Sequence, residues 1–329
     1  MNKTGTASIW QKYLRIREVN VFMALVVLII IMSAASPYFL KQDNIFNVLR
    51  GMSTIGIMAL GQTMVIITGG IDLSVGSLLA VSSMLTARLI TVHDQSAFIA
   101  VLTGLSFGLF LGIMNGLIIT RFKINAFITT LGMLSIGRGL TYLLATGVKG
   151  SVASNIPMQN GFIVFLGNGY LGPVPFSVVL LLILLFLASL FLRHTVPGRY
   201  IYAVGSNERS ARLSGVPVNK VRVFVYAISG FFCALAGIIL TGRLSTAATN
   251  IGLGNELDVI AAVVIGGASL QGGEGTVTGA IIGATIMAIV RNAFVLLHIP
   301  NHFQTITIGI VIILAVGFDQ LLKRKVKNL

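Results

Sequence analysis

Long apolar runs, separated by short polar connections, dominate the chain. A bilayer core about 30 Å thick requires about 20 consecutive apolar residues in one helix. Seven windows reach that length, and three more are shorter or interrupted by glycine. The pattern predicts an all-α, polytopic membrane protein with about ten transmembrane helices. The long windows lie near 21–37, 53–69, 97–119, 125–146, 175–192, 222–241 and 303–321, and the others near 73–91, 256–268 and 276–298.

The composition supports a membrane protein. Of the 329 residues, 55% are hydrophobic and only 10% are charged, and the mean hydropathy is +0.94. A soluble domain carries roughly a quarter of charged residues, so this chain has too few charges to cover a surface that faces water. A soluble enzyme and a disordered chain are both excluded. The single cysteine, Cys233, excludes an internal disulfide framework.

The basic residues predict the topology. The net charge is +14, and sixteen of the 23 Lys and Arg residues fall in the segments 1–20, 121–123, 193–222 and 323–327. The positive-inside rule places these segments in the cytoplasm. Both termini are then cytoplasmic. We therefore expect an N-terminal cytoplasmic segment (1–20), one transmembrane domain (21–321) with a cytoplasmic loop (194–221), and a basic cytoplasmic tail (322–329). Because excess basic charge reports topology here, no nucleic-acid partner is expected.

Regularly spaced glycines mark two of the predicted spans. Gly104, Gly108, Gly112 and Gly116 recur at every fourth position of one span, and 275–283 repeats the spacing in another. Small residues on one face let helix backbones approach closely in lipid. The pattern predicts tight packing within one bundle, and a dimer face or a sliding seam is the alternative.

Two glycine-rich breaks lie between predicted spans. Residues 68–77 and 266–275 both contain Gly-Gly-x-x-Leu. Neither contains the phosphate-binding loop of ATPases, and that loop occurs nowhere in the chain, so the chain does not hydrolyse ATP by that route. The breaks are either packed turns at the membrane edge, with Asp72 capping the third span, or the discontinuous helices that transporters use.

The loop over 194–221 contains the signals of a short helix. Ser206 or Asn207 can cap its start, Glu208 suits its positive end and Arg212 its negative end. Gly215 ends it. A helix of about two turns is unstable alone.

Something must therefore hold this helix in place. It either packs on its own bundle or docks into a cleft of a soluble partner. In the second case the small residues Ser210, Ala211 and Ser214 would permit a close approach.

Polar residues inside the predicted spans are candidates for lining a translocation path. The alternative is that they form hydrogen bonds between helices, worth about 1 kcal/mol each. Arg138 is a buried charge, which is either functional or part of a structural pair. Glu256 and Asp258 open the eighth span and are expected to cap it or to pair with Arg243. The candidate path residues are Gln62, Asp72, Asn115, Asn125, Thr129, Thr130, Arg138 and Gln271.

The sequence lacks the residue patterns that are typical of catalytic and metal sites. The chain has four histidines, and His298 and His302 have Pro300 between them. No nucleophile or metalloprotease motif is present. We expect no catalytic residue and no metal site.

Four segments closely resemble the ribose-type sugar permeases of ABC importers. They are ITGGIDLSVGS (67–77), NAFITTLGMLSIGRGL (125–140), GRYIYAVGSNERSARLSGVPVNK (198–220) and ELDVIAAVVIGGASLQGGEGTVTGAIIGA (256–284). The resemblance extends from about residue 20 to 321 and implies a bundle like that of the vitamin B12 importer, in a bacterial cytoplasmic membrane. Such relatives serve ribose, allose, xylose, arabinose, galactose or autoinducer-2.

The resemblance also implies partners. These are a second permease subunit, identical or related, a separate ATPase with two nucleotide-binding modules, and an extracytoplasmic sugar-binding protein. ATP and Mg belong to the ATPase, and this chain binds no cofactor of its own.

The loop over 205–217 matches the place where such permeases present a coupling helix to the ATPase. Glu208 occupies the acidic position and Gly215 the glycine of that motif. Arg209 departs from it, because relatives often have Glu-Ala-Ala; this leaves the docking prediction intact and bears on partner choice. The resemblance thus favours docking over packing. The predicted coupling residues are Asn207, Glu208, Arg209, Ala211, Arg212, Leu213 and Gly215.

Three other functions compete with this one. An ion-coupled secondary transporter needs intramembrane carboxylates or a cation site, and the spans are poor in both. A permease for branched-chain amino acids or nucleosides shares the fold but usually differs at 67–77 and 256–284. A multispanning enzyme needs a catalytic constellation that the sequence lacks.

Overall fold

The computed structural model describes residues 17–147, 155–300, 302–310, 313–314 and 317. The basic tail and parts of the predicted last span (303–321) lie outside the described residues. The helices are α1 (Arg17–Ala35), α2 (Gln42–Ile67), α3 (Val75–Thr91), α4 (Ala97–Arg121), α5 (Ala126–Ala145), α6 (Gly161–Asn168), α7 (Phe176–His194), α8 (Val196–Ser206), α9 (Glu208–Leu213), α10 (Val218–Leu244), α11 (Asn255–Ile265) and α12 (Val277–Leu296). Residues 302–310 are also helical.

Seven helices among the described residues are long and apolar enough to cross a membrane, namely α1, α2, α4, α5, α7, α10 and α12. The two remaining spans before the last one are shorter. Helix α3 has 17 residues and α11 has 11, although the sequence predicts 73–91 and 256–268. Because 311–312, 315–316 and 318–321 of the last predicted span lie outside the described residues, the count of ten and the side of the membrane on which the termini lie stay predictions.

Four short strands, which the sequence does not predict, lie in the connections. Strand β1 (Asn155–Pro157) pairs with β4 (Thr246–Ala248), and β2 (Tyr170–Leu171) pairs with β3 (Val174–Pro175), both antiparallel. Two or three residues are too few to show a period-two pattern, which explains why they escape detection. They join the connections at the end of the bundle opposite α9.

Helix α10 lies at the centre of the bundle. It packs against α2, α3, α4 and α6, and the whole stretch 52–67 of α2 is buried beside it. The first helix, α1, packs at the periphery against α12 and exposes most of its apolar side chains.

The glycine stripe of α4 lies against α10. A Cβ on Gly116 would lie 2.6 Å from the Cα of Val223, and one on Gly112 would lie 3.0 Å from the Cα of Ala227. Two backbones are therefore in direct contact along this seam. The prediction of tight packing within the bundle is confirmed, and the stripe is not a free dimer face.

A matched pair of alanine substitutions tests the seam. Gly112→Ala inserts a methyl group between α4 and α10, and we expect a loss of about 1–3 kcal/mol in the free energy of unfolding because overpacking forces a backbone shift. Gly132→Ala in α5 is the control, since no atom lies within 4 Å of its Cβ position. Thermal unfolding midpoints of the two variants, measured in the same detergent, provide the comparison. Equal midpoints would contradict the seam.

Candidate functional site

The predicted short helix exists as α9. The Oδ1 of Asn207 accepts a hydrogen bond from the N–H of Ser210 at 2.9 Å, so Asn207 is the cap and not Ser206. Glu208 accepts from Arg212 at 2.9 Å and from Arg222 at 2.7 Å, and the second bond ties α9 to α10. Gly215 follows with a φ of +80°, which a residue with a side chain rarely adopts.

One side of α9 is anchored and the other is exposed. Ala211 is 5% exposed and packs into the core, whereas Leu213 is 82% exposed. Arg209, Ser210 and Ser214 also face outward. Of the small residues expected to permit a close approach, Ser210 and Ser214 are exposed, whereas the methyl group of Ala211 anchors the helix to its own bundle. The side of α9 that is free for a partner therefore lies opposite the side that packs.

The Glu208 carboxylate is charged at neutral pH. Partial burial raises its pKa, but the hydrogen bonds and charges of Arg212 and Arg222 outweigh burial and hold the pKa below its ordinary value of 4.5. A lowered pKa in the folded state means that the ion pairs stabilise the fold above pH 4.5 and lose this effect as the pH falls through the lower value. Mild acidification to about pH 6 leaves them intact.

The last turn of α8, directly before α9, touches both glycine-rich breaks through backbone atoms. The N–H of Gly273 donates to the carbonyl of Ile67 at 2.8 Å. A Cβ on Gly272 would lie 2.9 Å from the carbonyl oxygen of Gly205 and 2.9 Å from the nitrogen of Gly69. We call this contact of Ile67, Gly69, Gly205, Gly272 and Gly273 the glycine junction. It brings together three segments that are far apart in the sequence.

The break after α2 lies inside the bundle. Asp72 accepts hydrogen bonds from the N–H of Ser74 at 2.9 Å, from its Oγ at 2.5 Å and from the Oγ of Ser229 at 2.9 Å. Ser229 lies about 16 Å along the axis from the start of α10. Helix α3 therefore begins beside the middle of α10 as a discontinuous helix, and not as a turn at the membrane edge.

Helix α11 begins beside α3. A Cβ on Gly252 would lie 2.6 Å from the carbonyl oxygen of Gly76, and a Cβ on Gly76 would lie 2.5 Å from the Oε2 of Glu256. Arg138 of α5 donates to the carbonyl of Ile251 at 2.6 Å on the same segment. Arg138 is therefore in a structural contact, and two discontinuous helices meet within the bundle, as transporters arrange them.

The partner of Asp258 corrects the sequence prediction. Asp258 is fully buried and pairs with Arg291 of α12, whereas Arg243 donates to the carbonyl of Asn47 at 3.3 Å. Asp258 lies one turn inside α11 on the side that packs against α12, so the cation comes from that helix.

The remaining candidate path residues do not converge on one site. Asn115 is fully buried and donates to the Oγ of Ser74 at 3.0 Å. Gln62 is buried in α2, and Thr129 is 8% exposed. Neither of these side chains has a hydrogen-bond partner among the described residues. Gln271 is exposed beside the glycine junction.

The last two candidate polar residues, Asn125 and Thr130, form hydrogen bonds with backbone atoms. Asn125 caps α5, where its Oδ1 accepts from the N–H of Phe127 at 2.8 Å. It also lines a cavity of about 770 Å³ that is shared with Glu208, Arg212 and Arg222. Thr130 is buried and donates to the carbonyl of Ile71, at 3.2 Å, in the break.

Some residues of the site carried no signal in the sequence. Gly205 lies within α8 without a positive φ, so its close contact depends only on the tertiary packing. Arg222 precedes an apolar run, so its position in the sequence indicates only the membrane topology. Its pairing with Glu208 spans fourteen positions, beyond the reach of helical spacing.

Discontinuous helices that meet within a packed membrane bundle are typical of transport proteins. The chain belongs to the family described as branched-chain amino acid transport system / permease component, which matches residues 44–316. The resemblance to ribose-type ABC permeases is confirmed by the relatives, and the chain is a transporter subunit rather than an enzyme.

The relatives match almost end to end. The ribose import permease protein of Haemophilus influenzae is 41% identical over 308 residues, which cover 94% of each chain. That of Escherichia coli (strain K12) is 42% identical over 304 residues, covering 92% of this chain and 93% of the relative.

A solved structure shares the fold. It is an inward-facing conformation of a metal-chelate type ABC transporter, with a TM-score of 0.53 and 16% identity, and the match covers 91% of this chain and 99% of the other. At this identity the likeness concerns the fold alone. It supports the expected architecture of an ABC importer permease.

The hydrogen bonds of Asp72 predict a contrast between two candidate path residues. Asp72→Ala removes the acceptor of three hydrogen bonds, and we expect it to lower the free energy of unfolding by about 3 kcal/mol. Thr129→Val removes a hydroxyl that has no partner among the described residues and is expected to be neutral or stabilising. Chemical denaturation in one detergent compares them. If Asp72→Ala were as stable as the parent protein, the network would not be structural.

Proposed function

We propose that this chain is the membrane-spanning permease subunit of an ATP-driven importer for a ribose-like monosaccharide in a bacterial cytoplasmic membrane. The observation that carries the proposal is α9, a six-residue helix anchored on one side and exposed on the other, which directly follows the turn of α8 that is in backbone contact with both glycine-rich breaks. The names of the relatives support the import of ribose. The permease acts with a second copy or a related chain.

The exposed side of α9 docks on a separate ATPase. Leu213 is an apolar side chain that is 82% exposed, next to the charged Arg209 and Arg212. An apolar residue within a polar rim is typical of a protein interface. The ATPase carries two nucleotide-binding modules and binds ATP and Mg, while an extracytoplasmic sugar-binding protein delivers the sugar. This chain performs no covalent chemistry and binds no nucleic acid.

The glycine junction transmits the movement of α9 into the bundle. Gly205 contacts the carbonyl of Ile67 and the nitrogen of Gly273 with no side chain between them. A displacement of α9 that moves the adjoining end of α8 therefore shifts the end of α2 and the loop before α12. Closure of the ATPase dimer biases the paired permease between inward-open and outward-open states.

Gentle purification from native membranes tests the proposed assembly. We expect a tagged chain to be isolated together with an ATPase that contains two phosphate-binding loops and with a solute-binding protein. Uptake of labelled ribose should be abolished by vanadate and should survive a proton uncoupler. A chain that is isolated alone, with uptake that the uncoupler abolishes, would instead favour ion coupling.

The coupling assignment predicts a loss of transport without loss of fold. A Glu208→Ala/Arg212→Ala double variant removes the ion pair within α9, the Glu208–Arg222 pair that ties α9 to α10, and one exposed charge. We expect normal expression and at least about a ten-fold fall in ATP-dependent ribose uptake, which corresponds to about 1.4 kcal/mol of lost docking free energy. Lys220→Ala, which removes an exposed charge outside α9, is the control. Unchanged uptake in the double variant contradicts the assignment.

A further inference from the structure

A cavity of about 550 Å³ lies at the end of the bundle opposite α9. Its size falls within the range of small-molecule sites, about 300–1,000 Å³. Five of the chain's sixteen asparagines line it, which concentrates amide groups in one place. These are Asn44, Asn47, Asn250, Asn255 and Asn292. We call it the amide cavity.

The amides come from three separate elements. Asn44 and Asn292 exchange two hydrogen bonds, at 3.1 and 2.7 Å, and thereby hold the start of α2 against α12. Asn47 lies one turn further along α2, and Asn250 and Asn255 flank the turn before α11. Among the described residues, no hydrogen bond engages the side-chain amides of these last three. Their donors and acceptors are available to a ligand.

The charges at the cavity argue against a cationic ligand. Arg291 is neutralised by its pair with Asp258, and the guanidinium of Arg243 contacts the carbonyl of Asn47. The remaining polar side chains of the lining are neutral, namely the asparagine amides and the Thr54 hydroxyl. Each amide presents one oxygen acceptor and two N–H donors, and each hydroxyl of a ligand both donates and accepts. Neighbouring hydroxyls of a polyol match this arrangement.

The inner wall of the amide cavity is formed by the 250–254 turn, which separates the cavity from the discontinuous helices. Ile251 and Gly252 line the cavity, and the same two residues contact Arg138 and Gly76 on the other side. A ligand in the cavity therefore rests against the segment that meets the start of α3. The distribution of Lys and Arg residues places this end of the bundle on the extracytoplasmic side of the membrane.

We propose that the amide cavity is a binding site for a neutral monosaccharide on the outer side of the permease, occupied before the sugar passes the 250–254 turn. The choice of a sugar as the ligand rests on the proposed function. The location and the chemistry of the site rest on the amides, their free hydrogen-bonding groups and the turn behind them.

Cysteine protection in the complete importer tests this site. Cys233, the single cysteine of the chain, is buried, so an introduced thiol can be labelled selectively. Asn250→Cys places the thiol at an exposed position of the cavity, and Gln95→Cys, exposed in the connection between α3 and α4, is the control. Both variants are labelled in intact cells with a membrane-impermeant maleimide, with and without ribose, other pentoses and hexoses, and gluconate.

The expected result is a saturable slowing at one position only. At a sugar concentration ten times Kd, mass action predicts labelling of Asn250→Cys about ten-fold slower, with no change for Gln95→Cys. Equal rates with and without every sugar overturn the proposal. Slowing by gluconate alone also overturns it, because the site is then an anion site. An Asn250→Cys thiol that stays unlabelled while Gln95→Cys reacts shows that the cavity is closed to the outside, which also overturns the proposal.

Parallel uptake measurements separate this inference from the proposed function. If ribose uptake is sensitive to vanadate but no sugar protects the Asn250→Cys thiol, the amide cavity is refuted and the proposed function stands. Protection by a different monosaccharide, without ribose uptake, refutes ribose as the cargo and supports the cavity.

Discussion

Direct contact between backbones is the interaction on which this structure depends. In lipid, apolar side chains gain little by leaving one apolar environment for another, so association of helices relies on close packing and hydrogen bonds. Helix α10 illustrates the consequence, because α4 approaches its backbone along three successive glycines, Gly108, Gly112 and Gly116, while Gly104 faces α3. Glycines 279 and 283 of α12 meet α11 in the same way. A bundle built on such contacts has little free space, and a shift of one helix displaces its neighbours.

The second constraint is that buried polar groups need partners. Asp72 has three donors from Ser74 and Ser229, and the fully buried Asp258 is paired with Arg291. These bonds lie where α3 and α11 begin, at the places where helices are interrupted and the backbone alone does not satisfy its own hydrogen bonds. The polar network therefore supports the irregular segments, while glycine contacts support the regular ones.

The sequence predicted what depends on local rules. The bounds of α4, α5 and α7 follow from the length of apolar runs, and α9 follows from the cap, the charges and Gly215. The partner of Asp258 was beyond reach, because Arg243 and Arg291 are equally plausible until the packing of α11 against α12 is known. The contact of Gly205 was equally hidden, since a glycine in a helix shows no unusual φ.

Both ends of the molecule act on the same discontinuous helix. At the α9 end, Gly205 and Gly272 contact the segment around Gly69 that leads into α3. At the opposite end, Gly252 contacts Gly76 in the first turn of α3, and the 250–254 turn is also the inner wall of the amide cavity. The start of α3 is thus in contact, through backbone atoms, with the segments that a docked ATPase and a bound sugar would move. Because both contacts include direct approaches of backbone atoms, a displacement of either segment would act on the stretch from Ile67 to Gly76, whose middle is held by the hydrogen bonds of Asp72.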